Sequence, residues 1–130
     1  MSAPHPLSAE PLWPELDGPL PERLLPRLAY YARLAPSTHN SQPWRFVIGP
    51  AEIDVLGDDS RWLPASDADR REFFISLGCA IEAVRIAADH AGHASEVNYF
   101  PVARNAVLVA RIRVDAAGTL RADAAAHWLP

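Results

Sequence analysis

Apolar residues recur at helical spacing in a first segment of the chain, which spans about Glu22 to Ala35. The stripe consists of Leu24, Leu28, Tyr31 and Ala35. Pro21 suits a first helical turn, and Pro36 ends the helix because the residue before a proline avoids the α region. The pattern therefore predicts an amphipathic helix with one buried face.

A second, longer helix is predicted between Ser66 and Gly92. Ser66 and Asp69 resemble a capping box, and glycine is typical of a helix end. The apolar face continues through Phe73, Leu77, Ala80, Ile81, Val84, Ala87, Ala88 and Ala91. Phe74 and Ile75 widen this stripe, so we expect the helix to be covered on more than one side. It is predicted to contribute to a subunit or half-to-half interface. Substitution of Ala80 or Val84 by arginine should then disrupt association and also destabilise the fold.

Four segments have the composition and alternation of β-strands. They are "RFVIG" (45–49), "EIDVL" (52–56), "EVNYF" (96–100) and "AVLVARIRV" (106–114). A turn at Gly49 and Pro50 joins the first two. In the last strand Leu108, Ala110, Ile112 and Val114 alternate with Val109, Arg111 and Arg113. The order helix, two strands, helix, two strands predicts an α+β domain, with helices packed on a mostly antiparallel sheet.

Prolines are concentrated at the start of the chain, in residues 1–26. Their spacing prevents a regular helix or a central strand in the segment before the first predicted helix. We therefore predict a proline-rich extended arm over residues 1–18 and a single domain over residues 19–130.

Composition excludes several classes of function. The 130 residues suffice for one modest core, and a net charge of −4 argues against a nucleic-acid partner. All 12 basic residues are arginine, which excludes a P-loop lysine and a lysine Schiff base. The single cysteine, Cys79, excludes an internal disulfide. No apolar run approaches the roughly 20 residues of a membrane span, so the default expectation is a cytoplasmic protein without a membrane partner.

The stretch "APSTHNSQPWRF" (35–46) places uncharged polar side chains between the first helix and the first strand. Loops on rigid supports are common ligand sites. Hydroxyls and amides suit a planar neutral heterocycle, because asparagine and glutamine both donate and accept hydrogen bonds. The same residue types also build turns by bonding their own backbone, and that alternative stays open.

The segment "ARLAPSTHNSQPWRF" (32–46) resembles the flavin-contacting segment of the nitroreductase family. Members carry alanine-proline-serine, an asparagine three residues after that serine, and glutamine-proline-tryptophan. The "STHN" variant and the later "DRREFFISLGCAIEAVRIAADHAGHASEV" (69–97) are most similar to the branch of NAD(P)H nitroreductases related to the mycobacterial Acg protein. The similarity extends over about residues 22–115.

The resemblance implies an FMN-dependent oxidoreductase that passes electrons from NADH or NADPH to nitroaromatics, quinones or similar small acceptors. The flavin would supply the chemistry, so no catalytic side chain is expected. The cofactor-binding positions expected from the resemblance are Pro36, Ser37, Thr38, Asn40 and Gln42, with Arg33 as a candidate for the charge that binds the phosphate. Pro36, Ser37 and Asn40 would lie along the isoalloxazine edge, and Gln42 would brace the loop or bond the ring. Trp44 is expected to anchor the first strand in the core.

Two departures from the family bear on completeness. The arginine-serine-arginine motif that binds the FMN phosphate in many nitroreductases is absent. Arg33 is the nearest candidate for that charge, and a solvated helix residue is the alternative. Acg-like proteins resemble two nitroreductase halves in one chain, and this sequence matches the N-terminal half. We expect a fragment, a truncated product or a half that self-associates or pairs, with a non-catalytic flavin-binding or pairing module as the alternative function.

Three other candidate sites are weaker. Ser37 and His39 lack a nucleophile-elbow pattern and an orienting carboxylate. His90 and His93 are separated by Gly92, so a helix terminus is expected there and no metal site. Cys79 is expected to be an inert buried thiol.

Overall fold

The computed structural model describes residues 23–115. The helices and strands are α1 (Leu24–Ala32), β1 (Trp44–Ile48), β2 (Glu52–Gly57), α2 (Arg71–His90), β3 (Ser95–Tyr99) and β4 (Leu108–Val114). Short 3-10 turns occupy Thr38–Asn40 and Asp59–Arg61. The arm predicted over residues 1–18 lies outside the described residues.

The four strands form one sheet in the order β1-β2-β4-β3, and every neighbouring pair is antiparallel. Phe46 lies opposite Val55, which in turn lies opposite Ala110. Since β4 is inserted beside β2, the α2 helix connects the first hairpin to a strand at the far edge of the sheet. The predicted α+β class with an antiparallel sheet is confirmed.

Both helices pack on one face of this sheet, where the main hydrophobic core lies. The largest fully buried side chains of this core are Trp44, Phe46, Leu28, Ile53, Leu77, Ile81 and Ile112. They come from the predicted stripes of both helices and from alternate positions of the strands, so binary patterning selected the buried face correctly.

The strand β4 departs from simple alternation at its start. The register between β2 and β4 shifts between Val55 and Leu56, which places a bulge at Val109. Leu108 therefore joins Val47 and Leu56 in a second buried cluster, whereas Val109 joins the main core. The prediction that Leu108 shares a face with Ala110 is wrong, because a bulge changes the phase of a strand without a signal in its hydrophobic pattern.

The ends of the helices also differ from prediction. The α1 helix ends at Ala32, and the chain continues to Ala35 in turns whose amides bond the carbonyls of Tyr31 and Ala32. The proposed capping box is wrong, because the Asp67 carboxylate accepts the amides of Glu72 (3.0 Å) and Phe73 (2.8 Å) at the start of α2.

The end of α2 is as predicted. Gly92 has a φ of 86°. Its amide donates to the Asp89 carbonyl, and the His93 amide donates to the Ala88 carbonyl. This pair of bonds is a Schellman motif, which needs a left-handed residue at the glycine position.

The sheet face opposite the helices carries an ion pair between the buried Asp54 and the half-buried Arg111. Arg111 donates from Nε to Asp54 Oδ1 (2.8 Å) and from Nη2 to Oδ2 (2.9 Å). Hydrogen bonding to Asp54 raises the pKa of Arg111 above its ordinary value, despite its partial burial. Among residues 23–115, no helix combines the length and apolar character needed to cross a membrane.

Candidate functional site

The polar stretch noted in the sequence forms a loop that is anchored at both ends. The amide of Thr38 donates to Ser76 Oγ on α2 (3.2 Å), and that hydroxyl donates to the Glu72 carbonyl (2.9 Å). The Pro43 carbonyl accepts the amide of Asp58, which follows β2 (2.9 Å). We call residues 35–43 the motif loop. Its position is set by α2 on one side and by the end of the β1–β2 hairpin on the other.

The backbone of the motif loop is left-handed at three residues that are not glycine. The φ angles are 51° at His39, 54° at Asn40 and 49° at Gln42. Asparagine tolerates this region, but histidine and glutamine adopt it at a cost on the order of 1 kcal/mol, so their conformation persists only where surrounding contacts determine it. Glycine adopts this region without that cost and is the usual residue where a connecting loop requires it.

Internal hydrogen bonds hold this backbone. Ser37 Oγ accepts the Gln42 amide (3.0 Å), and Gln42 Nε2 donates to Asn40 Oδ1 (3.1 Å). Arg61 Nη1 donates to the Ser41 carbonyl (3.3 Å). The brace expected of Gln42 is present, and both Ser37 and Asn40 also belong to it.

The carried-over residues occupy different surroundings. Ser37, Thr38 and Gln42 are half-buried, and Asn40 is exposed. Pro36 is exposed and lines an apolar cavity described below. Ser37, Thr38, Asn40 and Gln42 thus share one short loop surface, while Pro36 lies at its junction with α1.

Arg33 is placed differently. Its residue surface is only 7% exposed, and its guanidinium carbon lies 4.3 Å from the centre of the Tyr30 ring. It follows the last residue of α1, where a cation interacts favourably with the helix dipole. The interpretation of Arg33 as a solvated helix residue is wrong, because the guanidinium stacks on an aromatic ring and is buried.

Trp44 anchors β1 in the core as expected. It has no exposed surface, and its neighbour Pro43 is also buried. The apolar pair closes the motif loop onto the sheet, so the polar residues before it are held at a fixed distance from the core.

An arginine-rich cluster beside the motif loop was missed by sequence reasoning. Asp58 Oδ2 lies 3.3 Å from Arg45 Nε and 3.6 Å from Arg61 Nε. Asp58 Oδ1 accepts the amide and the hydroxyl of Ser60. A signal was available: in a hairpin the start of the first strand lies beside the end of the second, so Arg45 on β1 and Asp58 after β2 are neighbours.

The Asp58 carboxyl is kept ionised by these contacts. Burial alone would raise its pKa, but the hydrogen bonds from Ser60 and Arg45 outweigh burial and lower the pKa below the ordinary value of 3.8. The acidic stretch "DVLGDDS" (54–60) therefore provides a turn at the end of β2 and an anchor for two arginines.

A cavity of about 420 Å³ lies between the end of α1 and the middle of α2. It is lined by Tyr31, Leu34, Ala35, Pro36, Cys79, Glu82, Ala83 and Ile86. Cys79 is partly exposed on its wall, so the expectation of a buried thiol is wrong. The α2 helix turns one face to the core and a second to this cavity, and periodicity alone does not say which positions face which side.

The histidines at the end of α2 follow the helix-terminus interpretation. His93 lies beyond the Schellman turn, with Nδ1 3.0 Å from the Asp115 carbonyl. Within residues 23–115, no group of three or more histidine, cysteine, aspartate or glutamate side chains is arranged to hold a metal ion.

Comparison with known proteins identifies relatives of part of the chain. A putative NAD(P)H nitroreductase of Mycobacterium tuberculosis is 33% identical over 91 residues, or 70% of this chain and 26% of that protein. The M. tuberculosis protein named putative NAD(P)H nitroreductase acg is 37% identical over 67 residues, 52% of this chain and 20% of that protein. The chain spans about a quarter of the length of the first of these relatives.

A solved structure shares the fold. The nitroreductase family protein from Streptococcus pneumoniae TIGR4 superposes with a TM-score of 0.54 at 19% identity, over 82% of this chain and 84% of that one. No family model matches the sequence.

Proposed function

We propose that this chain, which corresponds in sequence and fold to part of a nitroreductase, is the flavin-edge portion of an FMN-dependent oxidoreductase. The relatives and the shared fold confirm the resemblance to the nitroreductase family over part of the chain. The electron donor in this proposal is NADH or NADPH, and the acceptor is a nitroaromatic, a quinone or a similar small molecule.

The braced, left-handed motif loop carries the proposal. Backbone conformations of this kind cluster at ligand-binding sites, because the fold must over-determine them. Among the described residues, three of the five non-glycine residues with positive φ lie in the segment that matches the flavin-contacting motif, at His39, Asn40 and Gln42, while Arg70 and Phe100 lie outside it. The coincidence of strain with the motif supports a binding function over a connecting turn.

The donors and acceptors left on the loop fit a flavin edge. The Asn40–Gln42 bond uses one group of each amide, so Asn40 keeps its NH₂ donor and Gln42 keeps its carbonyl acceptor. Ser37 accepts the Gln42 amide and still has its hydroxyl proton to donate. Carbonyls, ring nitrogens and a ring N–H along one edge of an isoalloxazine require this mixture of donors and acceptors.

FMN, when bound, supplies hydride transfer, and the chain supplies position and hydrogen bonds. We propose Ser37, Thr38, Asn40 and Gln42 as ring contacts and Pro36 as a wall of the site. Arg33 is a poor phosphate ligand in this proposal, because its guanidinium is buried against Tyr30.

A riboflavin titration followed by an activity assay tests the proposal. Riboflavin contains the ring without the phosphate, so its binding measures the motif loop directly. We expect quenching of riboflavin fluorescence, and NAD(P)H oxidation with a nitroaromatic acceptor once FMN is bound. Absence of riboflavin binding at any protein concentration, with the chain folded by circular dichroism, would overturn the assignment.

A non-catalytic flavin-binding or pairing module is the second candidate function. It is favoured by apolar side chains left uncovered in residues 23–115, including Leu34, Phe74 and Ile75, which lie on the two helices or directly beyond one of them. In that case the chain would hold or complete a flavin site on a partner half. Flavin binding without NAD(P)H oxidation, before and after pairing, distinguishes this function from the first.

A further inference from the structure

Two arginines converge on a single carboxylate beside the motif loop. The Nε atoms of Arg45 and Arg61 lie 3.3 and 3.6 Å from the same oxygen of Asp58. The side chains of the two arginines are 45% and 47% exposed, whereas that of Asp58 is 6% exposed. The carboxylate therefore forms the buried base of the cluster, and both guanidinium groups extend from it toward solvent.

The cluster carries an excess of positive charge. One carboxylate balances one guanidinium, so Arg45, Arg61 and Asp58 together have a net charge of about +1 at neutral pH. The adjacent Asp59 does not remove this excess, because it is paired with Arg70. Two cations held this close repel each other in the free protein, and an anion between them would relieve that repulsion.

The guanidinium groups are already oriented for a ligand. Long arginine side chains lose rotamer freedom when they bind, and anchoring in advance reduces that loss. Arg45 is anchored through Nε, and among residues 23–115 its two terminal nitrogens make no further hydrogen bond. A pair of terminal N–H groups matches the oxygens of a phosphate in a bidentate arrangement.

The cluster is attached to the motif loop. Arg61 Nη1 donates to the Ser41 carbonyl, and the Asp58 amide donates to the Pro43 carbonyl. A ligand whose ring contacts Ser37, Asn40 and Gln42 thus has a cationic group available within the same loop assembly. Proximity in space, and not in sequence, creates this arrangement.

We propose that Arg45 and Arg61, anchored on Asp58, form a binding site for a phosphate monoester. The inference rests on the proposed flavin function for the identity of the ligand. The 5′-phosphate of FMN and the 2′-phosphate of NADPH have this chemistry in common. The site provides cationic ligands that the sequence lacks at the family's usual position.

Inorganic phosphate tests the cluster without any flavin. Arginine Nε–H signals of the full chain are followed by NMR during titration with phosphate, and with chloride at matched ionic strength. We expect the Arg45 and Arg61 signals to shift with phosphate and not with chloride. Arg85 is the control, because it is 45% exposed and paired with one carboxylate, Glu82, at 3.0 Å. Equal responses of Arg45 and Arg85, or equal effects of the two salts, would overturn the site.

Two comparisons identify the source of the phosphate: FMN with riboflavin, and NADPH with NADH. The two members of each pair differ by one phosphate group. For FMN, Arg45→Gln should weaken FMN binding by about five- to tenfold and leave riboflavin binding unchanged. Arg61→Gln should weaken FMN binding by a larger factor than riboflavin binding, because Arg61 also donates to the Ser41 carbonyl of the motif loop. For NADPH, the same variants should remove a preference for NADPH over NADH. Arg85→Gln should alter neither the ratio of FMN affinity to riboflavin affinity nor the ratio of NADPH affinity to NADH affinity.

The outcomes separate this inference from the proposed function. If riboflavin binds but the arginine variants change neither the FMN-to-riboflavin nor the NADPH-to-NADH affinity ratio, the phosphate site is refuted and the flavin proposal is retained. Phosphate-dependent shifts without riboflavin binding support the anion site and refute the flavin proposal. Should both glutamine variants unfold, the phosphate and chloride titrations of the unaltered chain still decide whether the site exists.

Discussion

The left-handed backbone at His39, Asn40 and Gln42 is the feature of single residues that most constrains the motif loop. Asparagine tolerates this conformation, whereas histidine and glutamine adopt it at a cost. The hydrogen bonds that the Gln42 amide donates to Ser37 Oγ and that Gln42 Nε2 donates to Asn40 Oδ1 offset that cost. The residue types of the motif were evident from the sequence, but its backbone was not, because no glycine marks the left-handed positions.

We expect Asn40→Ala to weaken riboflavin binding by about 1–3 kcal/mol, because both a ring contact and the bond to Gln42 are lost. Fluorescence titration measures the change. Asn98→Ala, at an exposed position of the edge strand β3, is the matched control and should have no effect. Equal flavin affinity in the Asn40 variant and the unaltered chain would remove Asn40 from the site.

Asp58 gives the fold a predictable dependence on pH. Its folded pKa is below the ordinary value of 3.8, so its contribution to stability is fully present above that value. The contribution is lost as the pH falls through the lowered folded pKa. We expect Asp58→Asn to be less stable than the unaltered chain at neutral pH, and the difference to shrink below about pH 3.8. Urea unfolding across this range measures it, with Glu96→Gln as an exposed control; a constant difference at all pH values contradicts the prediction.

At the scale of elements, hydrophobic periodicity predicted the helices and strands and the faces of them that are buried in the core. The two helices and four strands exist because apolar residues recur at the required spacings, and each predicted strand overlaps the observed one. The errors lie where a few polar atoms or one extra residue decide the geometry. The bulge at Val109 moves Leu108 to the opposite face, and the α2 cap comes from Asp67. Neither has a periodic signal.

The cap of α2 is open to a direct comparison. Asp67→Ala should destabilise the fold by about 1–2 kcal/mol, because the amides of Glu72 and Phe73 lose a charged acceptor. Ser66→Ala should cost less than about 0.5 kcal/mol, since the exposed Ser66 hydroxyl makes only a long bond to the Leu63 carbonyl. Denaturant unfolding of both variants measures the difference. A larger effect at Ser66 would restore the capping box that the sequence suggested.

For the molecule as a whole, the outer side of α2 is the main feature left without a partner in residues 23–115. Ile75 is 55% exposed and Phe74 is 41% exposed, and Gly78 leaves open space for an approaching surface. Ala80 and Val84, by contrast, are fully buried in the chain's own core. Ala80 and Val84, the positions predicted to disrupt association, therefore lie on the wrong side of the helix. When a helix is apolar on two sides, the sequence does not indicate which side packs on its own sheet.

We expect Ile75→Arg to reduce self-association or pairing with little loss of stability, because the side chain is exposed in the single chain. Ala80→Arg should instead unfold the domain, since no space exists for the side chain. Sedimentation velocity and thermal unfolding measure the two effects separately. A chain that stays monomeric at high concentration, and whose pairing with any second half is insensitive to Ile75→Arg, rules out this side as an interface.

The completeness of the flavin site decides whether the 130 residues act alone. Nanomolar affinity needs about 12 kcal/mol of binding free energy. In the proposed site the motif loop would contact one edge of the ring, and the half-exposed Arg45 and Arg61 would offer solvent-screened bonds to a phosphate. Neither covers the two faces of the ring, where most of the apolar surface lies.

We therefore predict that a polypeptide of residues 1–130 binds FMN weakly and oxidises NAD(P)H slowly, and that pairing with a second copy or a second half raises both. The physical reason is that a partner seated on the outer side of α2 would exclude water from a ring held at the neighbouring loop, which strengthens every polar contact to it. Calorimetric titration of FMN, with mass measured by light scattering in the same sample, tests this. A tight one-to-one complex of FMN with a strict monomer would show that the loop and the arginine pair suffice without a partner.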